Sequence, residues 1–189
     1  MIISSDKQQR HKNGDKVHRI FFALWPDDAT RMQIIESFKQ LSIDKKQGRI
    51  VNFDNLHITL HFIGNVNQQT LDCLHRAAQK VKVGGFNLEL DHYDYFNKPN
   101  ILWMGLKQTP EALETLHKTL GTSLAECDFQ VERRPYAPHM TLMRKPAHQP
   151  EVFEKTEPIF WQVKAFVLVE SISIEGGVRY EVCEQYALT

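Results

Sequence analysis

The run of apolar and polar positions marks out the elements in turn. Arg19-Ile20-Phe21-Phe22-Ala23-Leu24-Trp25 is a short apolar, aromatic stretch closed by Pro26, which predicts a buried strand and then a break. Asp27 and Asp28 precede Met32, Ile35, Phe38 and Leu41 at three-residue steps, with Ile34 beside them. Acids at the start and that spacing predict an amphipathic helix packed on a sheet. A polar loop over residues 44–49 leads to a strand over 56–63, closed by Gly64. A second helix is expected from about 68 to 83, ended by Gly84-Gly85. Strands over 86–95 and 101–106 flank the turn Asn97-Lys98-Pro99-Asn100, and Pro110 opens a helix to about residue 126. Beyond Arg133-Arg134-Pro135-Tyr136-Ala137-Pro138 lies a strand at His139-Met140-Thr141-Leu142-Met143. The last third reads as β structure over 160–174 and a hairpin through Gly176-Gly177 into 180–188.

Strands and helices alternate as in an α+β or α/β chain, and the order strand, helix, strand, helix recurs loosely in the second half. Residues 1–17 are polar and read as a flexible tail. The remainder, 18–189, reads as one domain of two lobes, since no linker is long enough to separate independent units.

Composition narrows the classes. The chain has 189 residues, 42% hydrophobic and 24% charged, enough to bury roughly 70% of its unfolded surface. Lys+Arg and Asp+Glu both number 23. Proteins that coat duplex nucleic acid by counterion release carry a basic excess, so a large footprint is disfavoured while a local phosphate pocket is not. Cys73, Cys127 and Cys183 are odd in number, widely spaced and without a CxxC pair, which suggests neither a disulfide framework nor a zinc site. No segment reads as a membrane span or a signal peptide, so a reduced, cytoplasmic protein without a membrane partner is expected.

One feature exceeds what composition supplies. His57-Ile58-Thr59-Leu60 and His139-Met140-Thr141-Leu142 repeat the pattern His-apolar-Thr-apolar. With nine histidines in the chain, chance yields one such tetrad roughly 0.1 times, so a pair is not accidental. In a strand, alternate side chains share a face. Each motif therefore sets His beside Thr on one face and anchors the other in a core. Two such strands facing across a cleft would offer two imidazoles and two hydroxyls. Near pH 7 one imidazole can be neutral and its partner charged, which supplies a general base and a general acid together. That set suits in-line displacement at phosphorus and requires neither metal nor cofactor.

The sequence resembles the 2H phosphoesterase superfamily, and within it the bacterial RNA 2',3'-cyclic phosphodiesterases also called 2'-5' RNA ligases. The resemblance rests on both motifs and their flanks. Asn55-Leu56-His57-Ile58-Thr59-Leu60-His61-Phe62-Ile63-Gly64 is similar to the first, and Arg134-Pro135-Tyr136-Ala137-Pro138-His139-Met140-Thr141-Leu142-Met143-Arg144 to the second. The segments around Arg19-Ile20-Phe21-Phe22, Leu102-Trp103-Met104-Gly105, Arg179-Tyr180 and Tyr186-Ala187-Leu188 also look like family strands. The resemblance implies two pseudo-twofold-related lobes of antiparallel sheet with helices outside and a central groove. It further implies action on RNA ends or nucleotides bearing a cyclic phosphate, and a monomer is expected. His57 would be the proton donor and His139 the acceptor, with Thr59, Thr141 and Arg144 on the phosphate. The residues alone say only acid and base; which is which comes from the family.

Around this centre several further residues invite a role. Phe21 or Phe22 could stack a nucleobase, though alternation lets only one face the groove; Phe22 is taken as the candidate. Arg134, beside Arg133, is expected to steer substrate. His61 shares a face with His57 and Thr59 by alternation and is expected at the rim, in solvent. Phe160 and Trp161 read as core. Ala137 stands where some relatives carry a basic residue. Other readings are a nucleotide-binding module without turnover, a metal hydrolase built on His57, His61 and His139, and a phosphodiesterase acting on 2'-5' oligonucleotides or another cyclic nucleotide. Weak, reversible 2'-5' ligation is open to the same site.

Overall fold

The computed structural model describes residues 16–41, 43, 46, 48–146 and 157–189. The expected tail falls almost wholly outside the described residues. β1 (His18–Leu24) runs into Asp27, whose carboxylate caps α1 (Asp28–Gln40) by accepting from the Thr30 amide at 2.8 Å. The helix buries Thr30, Ile34 and Phe38 in steps of four. Met32, expected on that face, is exposed instead. β2 (Arg49–Ile50) and a 3₁₀ turn (Phe53–Asn55) lead into β3 (Ile58–Val66), the first motif strand. α2 (Gln68–Gln79) follows, capped by Asn67.

The single strand expected over 86–95 is two, β4 (Phe86–Leu90) and β5 (His92–Phe96). Asp91 divides them. Its carboxylate accepts from the Lys107 amide at 2.9 Å, and its own amide donates to the Gly105 carbonyl at 3.2 Å. β6 (Ile101–Gly105), α3 (Glu111–Leu124) and β7 (His139–Arg144) follow. The expected strand over 160–174 is likewise two, β8 (Ile159–Val163) and β9 (Ala165–Ile174), and β10 (Gly177–Ala187) closes the hairpin. Alternation along β8 buries Trp161 but leaves Phe160 70% exposed, which corrects its assignment to the core.

Two four-stranded antiparallel sheets result, in the orders β10-β9-β1-β3 and β2-β7-β6-β5, with β4 and β8 forming a separate pair. The chain is thus α+β and bilobal, and its main core runs through both lobes, from Phe22 and Leu60 to Met104, Met140 and Leu142. β3 and β7, the two motif strands, meet where the lobes join.

The motif strands are built alike. β3 pairs antiparallel with β1, and β7 with β6. Thr59 stands opposite Ala23 and Thr141 opposite Trp103. Immediately after each Thr the register slips by one residue, at Leu60 and at Leu142. A bulge places two consecutive residues on the buried side and inverts the alternation beyond it. Leu60 and His61 are accordingly both buried, as are Leu142 and Met143. Phe62 and Arg144 emerge at matching positions.

The cysteine expectation is corrected. Cys73 of α2 and Cys127, just past α3, form a disulfide, with Cα atoms 5.9 Å apart and a sequence separation of 54. Spacing that long carries no local signature. Among the described residues no helix is long and apolar enough to cross a membrane.

Candidate active site

Each motif histidine is held in the same way. His57 Nδ1 lies 2.6 Å from the Asn55 carbonyl, and His139 Nδ1 lies 2.9 Å from the Ala137 carbonyl, in both cases two residues back. A carbonyl oxygen only accepts, so Nδ1 carries the hydrogen in both rings and Nε2 is the nitrogen left for chemistry. His57 Nε2 faces the Thr59 hydroxyl at 3.1 Å, which sets the first motif's His and Thr around one point. Thr141 lies on the face of β7 that His139 shares, and both are half-buried.

Aromatic rings wall the two imidazoles. Trp25 stacks on His57 at 5.8 Å and 16°, Phe21 lies at 4.9 Å, and Tyr180 meets it edge-on at 5.3 Å. Phe96 and Trp103 stand edge-on to His139 at 5.0 and 6.0 Å. Gly105, paired with His139, lets this wall close. A Cβ there would fall 2.7 Å from the Trp103 ring and 3.0 Å from the Pro138 carbonyl. Burial pushes the His57 imidazole from 6.5 down to about 4; the Asn55 carbonyl pulls it up, while the positive charges of His139 and Arg144 push it further down. Without a bound anion His57 is neutral at pH 7.

Of the expected residues, His57 and Thr59 stand on one face of β3 and His139 and Thr141 on one face of β7, the two strands touch, and His139 and Arg144 lie close enough to His57 to act on its charge. Phe22 is a correction: it is fully buried against Phe166 and Tyr186, because β1 alternation turns it to the core. Phe21 takes the groove side, where His57 and Tyr180 cover it. Arg134 is exposed and bonded to Glu132. Trp25, Phe96 and Tyr180 also wall the site, and no pattern in the sequence singles them out. Trp103 could have been found from its register against Thr141, which a sequence does not print.

His61 is not at the rim. The Leu60 bulge turns it inward to 4% exposure, where its Nε2 donates to the His117 carbonyl at 2.9 Å. Its ring stacks on His117 at 4.2 Å, and His117 stacks on Tyr136 at 3.9 Å. Tyr136 closes the series by donating to the Thr59 carbonyl at 3.1 Å, so the leader of one motif is tied to the strand of the other. Gly121 makes room beneath, since a Cβ would meet His61 at 3.1 Å. Burial pushes His117 down to about 4, with His61 and Lys118 adding to it, and burial lowers His61 as well. A histidine lowered from 6.5 stabilises the fold above that pH and loses its contribution as pH falls through the lowered value. The denaturation midpoint should therefore drop between pH 6.5 and 4, and His117→Phe should reduce that drop. An unchanged acid-side loss in the variant would show that the stack does not carry it.

Among the described residues no group of three His, Cys, Asp or Glu side chains is placed to hold a metal ion. With His61 inside the stack, the three-histidine metal set is not assembled.

A family profile for the 2'-5' RNA ligase superfamily matches residues 26–173. The chain belongs to that superfamily. It is 30% identical over 171 residues to the RNA 2',3'-cyclic phosphodiesterase of Escherichia coli (strain K12), covering 90% of this chain and 97% of that one. It is 28% identical over 172 residues to the enzyme of the same name from Archaeoglobus fulgidus, covering 86% and 96%. Among solved structures, a phosphoesterase superposes with a TM-score of 0.85 at 30% identity, over 92% of this chain and 99% of that one. E. coli LigT complexed with 3'-AMP gives 0.84 at 30% identity and the same coverage. The superfamily assignment thus agrees with the resemblance carried by the two motifs.

Proposed function

We propose that this chain hydrolyses the 2',3'-cyclic phosphate at an RNA end to a 2'-phosphomonoester, as a monomer and without a metal. The observation that carries the reading is the matched pair of imidazoles. Each is pinned through Nδ1 to its own backbone, and His57 responds to the charges of His139 and Arg144. Relatives named RNA 2',3'-cyclic phosphodiesterase supply the substrate class.

In the proposed step a water oxygen attacks phosphorus and gives its proton to His139 Nε2. The bond from phosphorus to the 3'-oxygen breaks, and His57 Nε2–H protonates that oxygen. The phosphate remains on the 2'-oxygen. Thr59, Thr141 and Arg144 donate to the non-bridging oxygens, where charge is held through the transition state. An RNA 5'-hydroxyl in place of water would give a 2'-5' linkage by the same proton transfers. His57 must be protonated to act as the donor, yet burial keeps it neutral in the free protein. The bound phosphodiester carries a negative charge and raises its pKa, so substrate charges the acid it needs.

That electrostatic arrangement sets the pH profile. The pair holds one proton over the active range, and the lower limb belongs to the imidazole harder to protonate. We expect the acid limb of kcat/KM near pH 4, set by His57. The acid limb of kcat should lie higher, because it reports the anion-bound site. The deciding assay supplies a cyclic-ended RNA in the presence of EDTA and identifies the product by chromatography. A 2'-phosphate is expected. Binding without turnover would make this a nucleotide-binding module, and loss of activity in EDTA restored by zinc would require a metal mechanism.

A further inference from the structure

The bulges that follow the two threonines make Phe62 the counterpart of Arg144. Residues 57–62 and 139–144 show the same succession of half-buried, buried, half-buried, buried, buried and exposed positions. On the β7 side that last position holds a guanidinium. On the β3 side it holds a phenyl ring that is 53% exposed. Phe62 pairs with Phe21, which pairs with Val169, which pairs with Val182. Directly opposed residues on neighbouring strands project to one side. Phe62 therefore lies on the same sheet face as Phe21, whose ring touches His57. The face continues from the imidazole to Phe62 without interruption.

A second group completes the feature. The exposed Arg19 of β1 sets its guanidinium 5.0 Å above the Phe62 ring centroid. A cation over an aromatic face is a favourable pair, and both planes are surfaces on which nucleobases stack. Phe62 is half-exposed on the edge strand of its sheet, and the Arg19 guanidinium beside it, without a carboxylate partner among the described residues, complements a phosphodiester. From Thr59 the site lies three residues along the strand, roughly 10 Å at about 3.3 Å per residue. That is one nucleotide beyond the phosphate held at the histidines.

We infer that Phe62 and Arg19 form a subsite for the nucleotide on the 5' side of the cyclic end: the base stacks against Phe62 and the Arg19 plane, and Arg19 meets the intervening phosphate. The subsite gives the protein its preference for an RNA end over a free cyclic nucleotide. The inference rests on the reading of the histidine site as the place where the cyclic phosphate is held, and it is tested separately from it.

The test compares a 2',3'-cyclic mononucleotide with a trinucleotide ending in the same cyclic phosphate. In the wild-type protein kcat/KM should favour the trinucleotide. Phe62→Ala should lower kcat/KM on the trinucleotide by about 5- to 150-fold, the scale for losing one base stack, and leave the mononucleotide within about two-fold. Arg19→Ala should act in the same direction and should also flatten the salt dependence on the trinucleotide. Phe62→Trp should keep the preference, which guards against a general loss of fold. Equal effects on both substrates, or no effect on either, would overturn the subsite. Should the wild-type protein turn over neither substrate, the catalytic reading fails, and the same comparison made with Kd values decides the subsite alone.

Discussion

Replacing His57 or His139 by alanine should lower kcat/KM on a cyclic-ended RNA by about 10²- to 10⁴-fold, the usual scale for removing a general acid or base. Binding of the product nucleotide should change far less, because Thr59, Thr141 and Arg144 remain. The double variant should be little slower than the worse single variant, since two groups acting in one proton-transfer step fail together. Neither ring is a main pillar of the core: both are half-buried, at the groove. The denaturation midpoint is therefore the control that separates lost chemistry from lost structure. A near-normal rate in His139→Ala would remove the proposed base, and one in His57→Ala the proposed acid. Arginine at either position would retain a phosphate contact and still fail, because its pKa lies too high to exchange a proton near pH 7. A module that merely binds the phosphate would tolerate that exchange, so His139→Arg distinguishes binding from turnover in one measurement.

The sequence carried the chemistry further than it carried the geometry. Period-two alternation was enough to set His57 with Thr59 and His139 with Thr141, because each pair lies before its bulge. Past the bulge the same rule misleads. It sends His61 to the groove, where the protein buries it, and it would turn Arg144, an odd number of residues from Thr141, toward the core. The slips at Leu60 and Leu142 reverse both outcomes. A bulge is a property of two strands in register, and neither strand's residues announce it. The same limit explains Phe21 and Phe22: adjacent rings in an apolar run must point opposite ways, but only the pairing of β1 with β3 and β9 says which meets the groove. Breaks inside continuous β pattern, at Asp91 and Lys164, were also invisible, since each strand changes partner there without a Gly or Pro to mark it. The aromatic walls come from β1's end, β5, β6 and β10, far apart in sequence, so composition gave no hint that they converge.

Reduction of the Cys73–Cys127 bond should lower stability by about 2–4 kcal/mol, or the denaturation midpoint by roughly 5–15 °C. The bond closes a loop across 54 residues, which contains β4, β5, β6 and α3, and so removes much freedom from the unfolded chain. It also supplements other links between α2 and α3. Ser123 donates to the Ala77 carbonyl at 2.7 Å, and Lys80 pairs with Glu126 on the surface, where a pair of that kind adds little. The helix so fastened carries His117 and Gly121, on which His61 rests, and so supports the back of the first motif strand. Losing a few kcal/mol from the usual 5–15 leaves a folded protein, and turnover at 25 °C should survive reduction while heat tolerance does not. Disulfides are rare in the cytosol, so the bond and the cytoplasmic expectation pull in opposite directions. Alkylation of the unreduced, denatured protein decides whether the bond forms: Cys183 alone should be modified, and all three cysteines after reduction. The Cys73→Ser/Cys127→Ser variant should melt where reduced wild-type protein melts and be indifferent to reductant. If wild-type protein melts at one temperature with and without reductant, the covalent tie between α2 and α3 contributes nothing, and the hydrogen bond and packing between those helices must hold the support for β3 unaided.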